Sequence, residues 1–155
     1  MMREIFTFQR QVSQRLLLWS VFSVVSGAWL MRKDSADRRG FGQQAVAWGV
    51  IDAAIALGGW FASQRRSRNA DAQDAAVQRK ETHNLRRLLW INAGLDVLYM
   101  IGGAWWARRP DPQRRGWAGH GWGVVAQGAF LFAFDLIHAL LLNDPQPAAE
   151  EDRPL

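Results

Sequence analysis

Four long runs of this chain contain no Lys or Arg: residues 16–31, 40–64, 88–107 and 116–152. The first three have 16, 25 and 20 residues, which as helix extend roughly 24, 38 and 30 Å at about 1.5 Å per residue. The apolar part of the fourth, 117–142, reaches roughly 39 Å on the same rise. A bilayer's hydrocarbon core is about 30 Å thick. The pattern predicts an all-α chain of four transmembrane helices, over about 13–31, 41–62, 88–107 and 117–142, forming a single domain over 1–142.

Whole-chain averages conceal this. Hydrophobic residues make up 49%, charged residues 21%, and the formal net charge is +5. Those values describe an ordinary basic soluble domain, and the main alternative is a soluble four-helix bundle with Trp in its core. Such a bundle needs a charged outer face on every helix, and the four runs supply none. All 14 Gly lie in the spans or at their mouths, as in membrane helices that pack backbone to backbone. Small residues four apart recur at Ser23/Gly27, Ala45/Gly49, Ala54/Gly58 and Gly119/Gly123. Most of the nine Trp, such as Trp29, Trp60, Trp90 and Trp105, sit near span ends, where indoles anchor at the interface; Trp48 is mid-span. Cys is absent, which excludes disulfides, thiolate metal sites and cysteine nucleophiles.

Outside the spans, 1–14 reads as a short amphipathic entry segment, 63–87 as a polar, partly helical connector, and 143–155 as a disordered acidic tail. The halves resemble one another. RLLLW at 15–19 matches RRLLW at 86–90; SGAW at 26–29 matches GGAW at 102–105, each followed by a basic pair; RRGF at 38–41 matches RRGW at 114–117. With gaps of about five to seven residues within the helices, a tandem duplication of a two-helix hairpin is predicted, its halves related by an axis along the membrane normal. With four spans, the termini and connector share one side and hold eleven basic residues against eight in the hairpin loops. The positive-inside rule then puts both termini in the cytoplasm of a multi-pass inner-membrane protein.

Three spans each carry one carboxylate: Asp52, Asp96 and Asp135. A charge at mid-bilayer costs several kcal/mol, so these groups must be protonated, hydrogen-bonded, hydrated or bound to a cation. Each has polar company at helical spacing. Asn92 and Asp96 are i,i+4, with Tyr99 and Gly103 continuing that face. Gln44, Trp48 and Asp52 fall within about 80° on a helical wheel. His120, Gln127 and His138 fall within about 20°, with Asp135 some 60° round. Ser20 and Ser23 turn inward with Gly27. The candidate ligand-binding set is therefore Asp52, Asp96, Asp135, Gln44, Trp48, Asn92, Tyr99, Gln127 and His138. It suits a proton, a cation or a small polar molecule, with Trp48 and Tyr99 as aromatic walls.

A narrower version makes Asp52, Asp96, Asp135 and His138 an O₃N metal set. The competing reading is interhelical glue, worth about 0.6–2 kcal/mol per contact, in a structural or partner-binding subunit. His120 falls near the interface, roughly 22 Å from Asp135 by helical rise. No phosphate loop, zincin motif or serine elbow is present, so no enzyme signature appears and an intramembrane enzyme ranks third; cofactor and metal stay unassigned. The admitted partners are the bilayer, anionic lipids at Arg38, Arg39, Arg114 and Arg115, and a second copy of the chain. Nucleic acid is discounted, because the basic excess flanks the spans.

The chain resembles an uncharacterised family of small bacterial integral membrane proteins, a domain of unknown function. GFGQQ at 40–44 with WGVID at 48–52 carries the resemblance, as do LWINAGLDVLY at 89–99 and GHGWG at 119–123 followed by Gln127, Gly128, Asp135 and His138. It covers about 15–142 and implies four membrane helices, with no activity attached. A remoter likeness is to the tryptophan-rich sensory (translocator) proteins, at Leu98, Tyr99, Gly103 and Trp106. That family has five helices and a Pro-Pro-Gly-Trp loop, both missing here.

Overall fold

The computed structural model describes residues 5–109 and 115–142. Arg114 and the acidic tail at 143–155 lie outside them. Four helices are present and no strand among the described residues: α1 (Ile5–Met31), α2 (Ala36–Arg66), α3 (Ala75–Ala107) and α4 (Trp117–Leu141). Each is long and apolar enough to cross a membrane.

Local chemistry sets the ends. Ser35 caps α2, its Oγ accepting from the Arg38 N–H, and Arg65 and Arg66 stand in the last turn beside the unpaired carbonyls. Asp74 caps α3, Oδ1 accepting from the Ala76 N–H at 2.8 Å. The first hairpin turn is clamped by Arg39, whose Nη1 donates to the Lys33 and Asp34 carbonyls. Gly116 leads into α4 with φ 89°, a left-handed conformation that glycine adopts without steric cost.

Two stretches expected to be separate are helical continuations. Residues 5–14 run directly into the first span, and only 67–74 of the connector lies between helices. The physical reason is an apolar cluster at the connector end of the bundle. Ile5, Phe6 and Phe8 are buried there against Ala72, Leu89, Ala139 and Leu142, and the Ile5 N–H donates to Gln78 Oε1 at 3.0 Å.

The packing is a rhombus. α1 lies along α2, α3 along α4, and α2 along α4, whereas α1 and α3 meet only slightly. The central pair and both hairpins close on glycines. A Cβ on Gly27 would come within 2.6 Å of the Gly42 carbonyl, and one on Gly103 within 2.8 Å of the Gly121 carbonyl. Gly40 and Gly116 meet in the same way between α2 and α4. The hairpins also end alike, with Lys33 over the Trp29 ring and Arg109 over the Trp105 ring, each 3.8 Å from the centroid.

The distribution of polarity is inverted relative to a soluble bundle. The outer faces present Leu18, Val25, Leu98 and Ile101, each more than 60% exposed. The interior holds Ser20, Ser23, Asp52, Asp96, Gln127, Asp135 and His138, all buried.

Candidate functional site

Asp52 on α2, Asp96 on α3 and Asp135 on α4 are 2%, 4% and 7% exposed. Backbone contacts set their heights. Gly128 of α4 lies against the Asp96 carbonyl, and Gly123 against the Gln44 side chain. Because α2 and α4 run in parallel, eight residues on from Gln44 puts Asp52 beside Leu131. The carboxyls thus descend in the order Asp96, Asp52, Asp135, in steps of roughly 5 and 6 Å at about 1.5 Å per residue. They act electrostatically on one another: Asp96 on Asp52, and both on Asp135.

The Asn92 side chain lies beside Asp135. Asp52 Oδ2 and Asp96 Oδ2 are buried without a hydrogen-bond partner. An unmade bond of this kind costs about 1–3 kcal/mol, and more for a charged group. Trp48, one turn from Asp52, meets Tyr99, one turn from Asp96, edge to face with centroids 5.1 Å apart. Both turns point toward the hairpin loops; Trp48 is half-buried there and Tyr99 is exposed.

Three members of the expected set are engaged elsewhere. Gln44 Nε2 donates to His120 Nδ1 at 3.1 Å, and the His120 ring stacks on Trp106. Gln127 accepts from Trp19 Nε1 at 3.2 Å and donates to Ser23 Oγ at 3.3 Å. His138 Nδ1 lies 2.6 Å from the Phe134 carbonyl, and its Nε2 lies 3.0 Å from Arg15 Nη1. A carbonyl only accepts and a guanidinium only donates, so His138 is fixed as the Nδ1–H tautomer with its second nitrogen occupied. This separates it from the carboxyls and explains why the O₃N set does not assemble. Among the described residues no three His, Asp or Glu side chains are placed to hold a metal ion.

The polar groups nevertheless form one column beside α4, from His120 and Gln44 through Gln127 and the carboxyls to His138 and Arg15. Sequence reasoning identified the α4 members, which share a helical face. It missed Trp19, Arg15 and Trp106, which join from other helices and carry no signal along their own. Tyr99 and Trp106, paired in the translocator likeness, sit apart, one against Trp48 and the other against His120.

No curated protein and no solved structure matches the chain. A family model does match, over residues 15–136, a range that takes in the three carboxyls and stops short of His138. The chain therefore belongs to a family of unknown function (DUF6992).

Proposed function

We propose that the chain is an integral membrane protein whose Asp52, Asp96 and Asp135 bind and exchange protons within the bilayer. The observation that carries this reading is the pair of buried, unpartnered oxygens, Asp52 Oδ2 and Asp96 Oδ2. Carboxyls used only as glue would spend those oxygens on neighbouring helices. A chelated metal would need three converging ligands. A proton needs neither, and a neutral acid is the form that an apolar interior tolerates. Asn92 beside Asp135 is the exception, since an amide next to a carboxyl fits the rival reading of a structural subunit.

The membrane reading is supported by the apolar outer faces and the length of all four helices. The proposed setting is the inner membrane of a bacterium, with both termini cytoplasmic and the connector beside them. A tandem duplication is supported by the matching Gly27 and Gly103 contacts and the matching Trp29/Lys33 and Trp105/Arg109 stacks. In the frame of the SGAW/GGAW match Ser20 is the counterpart of Asp96, so the acid centre is displaced toward the second hairpin.

Infrared difference spectra of the purified protein across a pH titration test the proposal. Protonated-carboxyl bands are expected, with Asp52→Asn and Asp96→Asn each removing one while the fold is retained. If no band titrates and all three Asp→Asn variants only lose stability, the carboxyls are packing elements and the structural reading stands.

A further inference from the structure

The hairpin-loop end of the bundle is asymmetric in a way that the acid centre does not use. A groove of about 500 Å³ opens there between α1, α2 and α4. Leu30, Phe41, Ala118 and Trp122 line it, with Asp37 and Arg38 at its loop-side rim. The corresponding place in the second hairpin is filled. The counterparts of Leu30 and Phe41, read from the SGAW/GGAW and RRGF/RRGW matches, are Trp106 and Trp117. Their rings pack edge to face at 5.0 Å, with Trp106 also stacked on His120. A leucine in the place of an indole leaves the first groove open.

We propose that this groove seats one anionic phospholipid, its phosphate on Arg38 and an acyl chain along Leu30, Phe41, Ala118 and Trp122. This rests on the membrane reading and not on the proton reading. Three features select that occupant. The walls are apolar and face outward at the end of the spans, where acyl chains meet headgroups. The rim belongs to the turn that holds Arg32, Lys33, Arg38 and Arg39, a charge complementary to phosphate. Of these, Arg39 is committed to the turn carbonyls and Lys33 lies over Trp29. Asp37 is turned toward the start of α4, where its Oδ1 accepts from the Gly119 N–H. A free phosphate would have no use for the apolar walls.

Delipidated protein in mild detergent, titrated with phosphatidylglycerol, phosphatidylcholine or inorganic phosphate and read by native mass spectrometry, tests this. Phosphatidylglycerol is expected to bind roughly fivefold more tightly than phosphatidylcholine, the effect of about one basic residue at an anionic headgroup. Arg38→Gln should abolish that preference without weakening phosphatidylcholine. Leu30→Trp, which copies the second hairpin, should weaken both lipids. Its helix content by circular dichroism is checked alongside, and Arg38→Gln, an exposed change, decides the matter if Leu30→Trp does not fold. Equal binding of the two lipids, competition by inorganic phosphate alone, or a dimer that Leu30→Trp dissociates would overturn the proposal. Release of the chain from membranes by alkaline carbonate would instead remove the membrane reading on which it stands.

Discussion

Asp96 shows how a residue's chemistry and its stability can oppose each other. It is buried on α3 with one oxygen unpartnered, so it weakens the fold by about 1–3 kcal/mol relative to an apolar group of similar shape. Asp96→Leu is therefore expected to raise resistance to unfolding in detergent while removing a titrating carboxyl. A melt followed by circular dichroism measures the first effect, and the infrared titration the second. His138 is the opposite case, because both ring nitrogens are occupied. Arg15→Met leaves a buried Nε2 lone pair unpaired, and a loss of about 1–3 kcal/mol is expected. The nitrogen spectrum of 15N-labelled histidine should report the Nδ1–H tautomer in the parent protein. The three Asp were legible in sequence because a carboxylate inside an apolar run is conspicuous. The roles of Gln44, Gln127 and His138 were not, because helical spacing fixes a side chain's direction and leaves its partner on the next helix undetermined.

Among elements, the glycines separate into two kinds. Those at Gly27, Gly103 and Gly121 are filled by the neighbouring backbone, and Gly58, Gly94 and Gly102 have nothing within 4 Å of an added Cβ. Gly27→Ala is expected to cost about 1–3 kcal/mol through overpacking. Gly94→Ala and Gly102→Ala are expected to be neutral, or to stabilise by up to about 1 kcal/mol through helix propensity. Thermal melts of the three variants in one detergent check the contrast. Spacing alone placed Ala54/Gly58 beside Ser23/Gly27 as packing pairs, yet Gly58 faces open space. The repetition of small residues shows where a helix could be approached closely, and only the tertiary arrangement decides which of those places is used.

For the whole molecule, the number of helices and their approximate spans followed from the basic-free runs, because apolar length and charge position are one-dimensional properties. The rhombus did not, since it depends on which helices share glycine contacts. Nor did the closure of the connector end, where Phe6 and Phe8 lie among residues 5–14 that a local reading gives to an entry segment. Phe8 is buried and its ring meets His138 edge-on. Phe8→Ala is expected to lower stability by about 3 kcal/mol or more, while leaving the number of titrating carboxyls unchanged. Chemical unfolding read by Trp fluorescence measures the loss, and the infrared titration verifies the count.

That closure also orders events in time. Ile5, Phe6 and Phe8 are made before the other members of their cluster, and Ala139 and Leu142, which complete it, are made after all the rest. At about 5–20 residues per second, the first turns wait roughly 7–27 s for those partners. The start of α1 is thus completed by the end of α4, and synthesis halted inside α4 would leave Phe6 and Phe8 with only the partners from the connector and α3.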